Sequence, residues 1–387
     1  MPFRLMKEIS VPNLRLVRWL ILIGVVLIVV ILAEAADTVL RTQAQAIFKP
    51  LPRDMATPDG PLAPAQVKLG RMLYFETRAS VDATVSCARC HQPALFGTDA
   101  LPKSIGAEHR SNPRNAPTVL NAATQFVQHW RGDRTSVEDQ ATKALVAPPS
   151  FGNPSYESAM TKLKAIPGYP ALFAQAFPGQ ADPVTADNWG KAIGAYMRTL
   201  VTPSSFDAFL AGDDRALSSA AQAGLRTFIQ VGCVACHNGV GVGGTMYQKF
   251  GLVEDYWKAT GSTTIDKGRF DVTQNPADMH VFKVPSLRNV AMTPPYFHDG
   301  SIATLPAAVR VMARVQLGRT LTDGEVVDIV AFLESLTGQL PADFVTAPLL
   351  PSAGARPCRA LGRPASAQWP APVPRSSDAP PVTSGCS

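Results

Sequence analysis

The pentapeptide Cys87-Ala88-Arg89-Cys90-His91 recurs as Cys233-Val234-Ala235-Cys236-His237, 146 positions further along. No other feature constrains this chain as strongly. Two cysteines three positions apart with a histidine beside them form the c-type haem attachment pattern. Two thiols at that separation reach the two vinyl groups of one porphyrin and form thioethers. The adjacent histidine then lies under the ring and ligates iron. A redox cysteine pair or half of a zinc site uses the same residue types. Here each pair already has its own histidine and the pairs are far apart, so two covalently attached haem c groups are expected.

Such attachment is made outside the cytoplasm, and the start of the chain agrees. A basic segment ends at Arg18, an unbroken apolar run extends from Trp19 to Ala33, and Ala33-Glu34-Ala35 offers a small-x-small cleavage site. At 15 residues the run is short for a spanning helix. Residues 1–36 therefore read as an export signal, with an uncleaved N-terminal anchor to the inner membrane as the alternative. Either way the expected location is the periplasm.

The formal charge of +6 would ordinarily raise nucleic acid as a partner, but most of it sits at the ends. Residues 1–36 carry +2 and residues 351–387 carry +3, leaving +1 for everything between. That stretch shows no basic cluster of five or more residues, so nucleic-acid binding is not expected. Two haems would bring up to four propionate charges and make the core acidic.

The pattern along the chain is helical. Val67, Leu69, Met72, Leu73 and Phe75 share a face after Pro64, and Thr185 or Asp187 caps a helix bearing Trp189, Ile193 and Leu200. Thr202-Pro203-Ser204-Ser205 breaks it. A second unit opens at Ser218 or Ser219. Thr304 precedes a helix with Pro306 early in it and Met312 further on. Thr322-Asp323-Gly324-Glu325 is a capping box for a last helix ended by Gly338. Leu69-Gly70-Arg71-Met72-Leu73-Tyr74-Phe75 before the first motif is faintly repeated as Ala223-Gly224-Leu225-Arg226-Thr227-Phe228 before the second. No convincing alternating strand run is present. The expected fold is all-α: two cytochrome c-like haem domains, loop-rich, with a disordered C-terminal tail. The divisions are 1–36, a connector at 37–60, an N-terminal haem domain at 61–202, a C-terminal one at 203–345, and a tail rich in Pro, Ala, Ser and Arg at 346–387. Cys358 and Cys386 belong to that tail.

Each iron has a sixth position to fill or leave open. His109, His129, His280, His298 and the methionines are the candidates, and a methionine at helical spacing is more often core than ligand. Met312, on a helix well after the second motif, is where a single-haem cytochrome places its distal methionine. A Met/His pair raises the potential. Trp130, Asn115 and His298 stand in loop-like stretches, where pattern alone assigns them packing, turn and backbone-bonding roles as readily as chemical ones.

From about Leu69 to Gly338 the chain resembles the bacterial di-haem cytochrome c peroxidase family, to which MauG also belongs. Both haem motifs carry the resemblance, together with Pro113-Arg114-Asn115-Ala116-Pro117-Thr118-Val119-Leu120-Asn121-Ala122 and Trp130-Arg131-Gly132-Asp133-Arg134. So do Phe282-Lys283-Val284-Pro285-Ser286-Leu287-Arg288-Asn289-Val290 and Thr293-Pro294-Pro295-Tyr296-Phe297-His298-Asp299-Gly300. The resemblance implies that the haem on His91 reacts with peroxide and the haem on His237 accepts electrons. Met312 matches the distal methionine of the second haem, where MauG-like members carry tyrosine. Trp130 matches the tryptophan between the haems. Gln140 matches the glutamine of the peroxide pocket. Asn115, with backbone oxygens of Thr293 and Pro295, matches a calcium site, and such hard oxygen ligands suit that ion.

Two departures stand out. Counting from Trp130 without a gap, Ser150 occupies the position of the pocket glutamate, and a hydroxyl cannot carry a proton at neutral pH as a carboxylate can. Many members also place a removable distal histidine directly after Ser-Ile-Gly. Here Ser104-Ile105-Gly106 is followed by Ala107, with His109 two residues later. Either the loop brings His109 to the first iron or that iron stays open. The expected activity is reduction of hydrogen peroxide with electrons from a small periplasmic cytochrome c or cupredoxin, and the protein could be a homodimer. The alternatives are a di-haem electron-transfer protein and MauG-like oxidation of a partner protein.

Overall fold

The computed structural model describes residues 18, 19, 22–25, 38–56 and 60–352. Most of the expected export segment and most of the expected tail lie outside the described residues. Among the described residues, no helix is long and apolar enough to cross a membrane.

Helix α1 covers residues 38–47. In chain order there follow α2 (Pro64–Tyr74), α3 (Cys87–Cys90), α4 (Val137–Ala144), α5 (Tyr156–Lys164), α6 (Tyr169–Ala176), α7 (Ala186–Met197) and α8 (Ser205–Leu210). Then come α9 (Ser219–Val231), α10 (Tyr256–Thr260), α11 (Phe270–Thr273), α12 (Leu305–Leu317), α13 (Asp323–Glu334) and α14 (Ala342–Val345). Thr185, Ser218 and Thr322 cap α7, α9 and α13 with their side chains, and Glu325 completes the capping box at Thr322. Thr304 stands at the N-cap of α12 but makes no capping bond. Helix α13 stops at Glu334, short of Gly338, whose N–H goes to the side-chain oxygen of Asn289.

The all-α expectation needs one correction. Strands β1 (Tyr247–Lys249) and β2 (Val281–Lys283) pair antiparallel, with Gln248 opposite Phe282. Three residues are too few for an alternating pattern to register in the sequence.

The buried residues form two clusters. The first centres on α2 and α7, with Leu69, Leu73, Tyr74, Trp189, Ile193 and Tyr196. The second centres on α9 and α13, with Leu225, Phe228, Ile329 and Phe332. The faint repeat now has a physical reason. A Cβ on Gly70 would lie 1.8 Å from the carbonyl oxygen of Ala192, and one on Gly224 would lie 1.8 Å from that of Asp328. At both crossings only glycine lets the helix backbones meet. Tyr196 and Phe332, four residues beyond the two contacted carbonyls, occupy matching places.

The ends of the chain exchange partners. Leu40, Ala44 and Phe48 are buried in the second cluster, so residues expected to be connector complete a core. Phe344 is buried in the first cluster, although its place in the sequence puts it with the second unit. Arg71 holds that returning segment through the carbonyls of Asp343 and Thr346. Between the units, buried Asn121 and Asn289 both donate to the hydroxyl of Thr202, at 2.8 and 2.9 Å.

Candidate haem sites

Helix α3 is the first attachment motif itself, and it leads directly into His91. Cys87 and Cys90 are free and half-buried. Burial, aided by Cys90, pushes the Cys87 thiol up to about 12, and burial pushes Cys90 up to about 11. A thiolate metal ligand or a reactive redox cysteine needs the opposite shift. Among the described residues, no group of three or more His, Cys, Asp or Glu is placed to hold a metal ion by itself.

The His91 ring is oriented. Its Nδ1 lies 3.1 Å from the Gly97 carbonyl, and its own carbonyl accepts from the Tyr74 hydroxyl at 2.6 Å. A donor Nδ1 leaves Nε2 with the lone pair that iron requires. Burial lowers the pKa, which keeps the imidazole neutral. Gln140 projects from α4, and its Oε1 is buried without a hydrogen-bond partner. The loop after Ser104 is latched to the turn at 147–150: Ala107 N–H donates to Ser150 O at 2.9 Å and Asn112 Nδ2 to Pro149 O at 2.6 Å. His109 is exposed on that loop with φ 59°.

In the second unit, α9 ends at Gly232, whose φ of 101° turns the chain straight into Cys233. His237 is buried, and burial pushes it down to about 4 against the pull of backbone groups at Val242 and Pro285. A cavity of about 230 Å³ opens beside it. Cys233, Cys236 and His237 line one part, and Met312 faces the same space from α12. Phe228, Val309, Leu333 and other apolar side chains supply the walls. Thioether-forming cysteines, an imidazole and a methionine sulfur around one apolar space fit a haem with a Met/His pair.

The same cavity extends to Trp130, Asn115, Thr293 and Pro295 at the junction of the units. Trp130 Nε1 donates to the Asn115 carbonyl at 2.9 Å, and the indole meets the His298 ring edge-on with centroids 6.3 Å apart. Asn115 Nδ2 donates to Leu101 O at 2.9 Å, which leaves Oδ1 for another partner. His298 is more than a loop residue. Its ring is buried against Phe282 with centroids 4.4 Å apart and Nε2 has no hydrogen-bond partner, so the expected side-chain bond to backbone is not made there; its carbonyl accepts from Asn115 N–H. His280 has its Nδ1 near Asp266 O at 2.8 Å, while His129 lines the cavity with its Nδ1 near Asp133 Oδ1 at 3.2 Å. Sequence reasoning missed Lys283, which is buried on the wall of this same cavity. Only its place beside the conspicuous Phe282 and Pro285 hinted at it.

Residues 64–215 match the family model for di-haem cytochrome c peroxidase. Across 81% of its length the chain is 42% identical to the cytochrome c551 peroxidase of Pseudomonas aeruginosa, 90% of which is covered. The chain belongs to the di-haem cytochrome c peroxidase family. A cytochrome c551 peroxidase of Nitrosomonas europaea is 43% identical over 73% of this chain and 83% of its own length. Among solved structures, a MauG-like protein associated with microbial copper homeostasis superposes with a TM-score of 0.67 at 26% identity, covering 78% of this chain and 97% of that one. This family member is therefore an oxidoreductase, and its family implies two haem c groups.

Proposed function

We propose that this di-haem oxidoreductase reduces hydrogen peroxide to two waters, taking two protons from solvent and two electrons from a small periplasmic cytochrome c or cupredoxin. The observation that carries the reading is the continuity of one cavity from His237 and Met312 to Trp130. It supports a route from an electron-accepting haem, past the indole, toward the unit that holds His91. Haem c at the two motifs supplies the redox-active iron.

The remaining roles belong to the chain. His91, oriented by Gly97, offers Nε2 to the first iron. His237 and Met312 hold the second. Gln140 Oε1, buried and unpartnered, accepts a hydrogen bond from peroxide. His109 stays exposed on its latched loop, so it would not compete with substrate for the first haem. Asn115 Oδ1 and the carbonyls of Thr293 and Pro295 would hold calcium; all three residues line the same cavity. The relatives named cytochrome c551 peroxidase support a cytochrome donor. The basic segment ending at Arg18 and the apolar run from Trp19 to Ala33 support export to the periplasm.

Ser150 favours a second reading, a di-haem relay with little peroxide chemistry, because no carboxylate stands there to move the proton. Steady-state peroxide reduction with a reduced cytochrome c separates the two. Haem content is first matched to two per chain. Turnover well above that of free haem supports the peroxidase, and turnover equal to it leaves only the relay.

A further inference from the structure

Lys283 closes β2 and is only 5% exposed. Its backbone N–H donates to the Trp130 carbonyl at 2.8 Å, which ties this strand to the main chain of Trp130. Its Nζ donates to the amide oxygen of Gln125. An ammonium has three protons to place, and among the described residues no carboxylate is paired with this one. The other buried cation of this wall differs. Arg288 has Asp207 at 2.7 Å. A buried lysine without a counter-charge is rare because desolvating the ammonium is costly. Burial pushes Lys283 down to about 8.

Lys283 and Gln125 line the cavity that Cys233, Cys236, His237 and Met312 also line. A porphyrin joined to those cysteines is held by its vinyl edge. Its two propionates leave from the other side of the ring and bring the carboxylates this wall lacks.

We infer that Lys283 is the counter-ion of a propionate on the second haem and that its charge raises the reduction potential of that haem. The inference rests on the reading above, that haem fills this cavity. A cation near the ring favours the electron-rich, reduced state, and in a poorly solvated wall it acts with little screening. It also cancels a propionate charge that would otherwise favour the oxidised state. Lys283 is thus a positioning residue that acts through the haem edge.

The test compares Lys283→Met, Lys283→Arg and the unaltered holoenzyme. Lys258→Met serves as a control, since it makes the same charge change at an exposed position. Haem is counted first by a pyridine haemochrome spectrum. An unaltered protein without two haems c defeats both this inference and the reading beneath it. With both haems present, potentiometric titration followed by visible spectra gives the midpoint potential of each. Lys283→Met is expected to shift the second haem's equilibrium at least tenfold toward the oxidised form, about 59 mV for one electron. Lys283→Arg and Lys258→Met are expected to shift it less than threefold. An equal potential in Lys283→Met and Lys258→Met, or a shift confined to the first haem, overturns the inference while leaving the proposed function standing. If Lys283→Met loses the second haem, Lys283→Arg decides. Its retention supports the counter-ion role, and its loss shows that shape rather than charge is required and overturns it.

Discussion

The indole N–H of Trp130 is donated to the backbone carbonyl of Asn115, 2.9 Å away. Asn115 in turn donates its N–H to the His298 carbonyl at 2.7 Å. An aromatic ring at the junction is thereby tied to one segment before it in the chain and one far after it. Its position is over-determined, as electron transfer through a fixed route would require.

Trp130→Phe keeps a ring but removes the donor and leaves the Asn115 carbonyl unpaired. A stability loss of about 1 kcal/mol is expected in denaturant melts. Peroxide turnover, with haem content matched, is expected to fall about tenfold or more, the equivalent of at least ~1.4 kcal/mol on the barrier. Unchanged turnover would remove Trp130 from the electron route.

Met312→His exchanges a thioether for an imidazole on the wall facing His237. The potential of the second haem is expected to fall, since a Met/His pair raises it. Spectroelectrochemistry reads the shift. A potential that does not move would mean that Met312 is core and nothing more.

Gly70→Ala and Gly224→Ala each drive a methyl group into a backbone carbonyl that cannot retreat without separating two helices. Each is expected to cost about 2 kcal/mol or more. The loss should appear first in the haem absorbance of the unit that carries the change.

Glu76 is fully buried, and burial alone would raise its pKa. Two bonds from Arg78 at 2.7 and 2.6 Å and one from the Tyr169 hydroxyl at 2.7 Å outweigh that and hold it below its usual 4.5. A carboxylate whose folded pKa is depressed contributes stability that is complete above its unfolded value and is lost as pH falls through the folded one. Glu76→Gln is therefore expected to cost about 1–3 kcal/mol at neutral pH. The gap between the two proteins' denaturation midpoints should narrow as pH is lowered below 4.5.

The proposed calcium site predicts that a chelator lowers the melting temperature and slows turnover. Calcium should restore both and magnesium should not, since magnesium tolerates irregular carbonyl-rich sites poorly. Asn115→Ala should abolish the response.

The attachment motifs were legible because covalent chemistry dictates their spacing. The caps at Thr185, Ser218 and Thr322 were legible because a cap is a local event. The repeat around Gly70 and Gly224 was visible, but its cause was not, since the clashing carbonyls belong to residues more than a hundred positions away. The surroundings of Lys283 were hidden for the same kind of reason. Its partners Trp130 and Gln125 are distant in sequence, and a lone lysine in an apolar run does not reveal which way it faces. His298 was undervalued because stacking on Phe282 is a property of the folded loop. The second-core role of Leu40, Ala44 and Phe48 could not be read from a short amphipathic stretch whose partner was unknown.

The exchange of chain ends changes what counts as a separable piece. Cutting at the Thr202-Pro203 link would yield two halves that each lack a strip of their own interior, since Phe344 would leave with the wrong half and Phe48 likewise. A self-sufficient second unit would have to carry residues 38–51 grafted onto its start, and a self-sufficient first unit would need 340–352 returned to it. The two haem sites are thus inherited and lost together, and recombination at the obvious linker would be selected against.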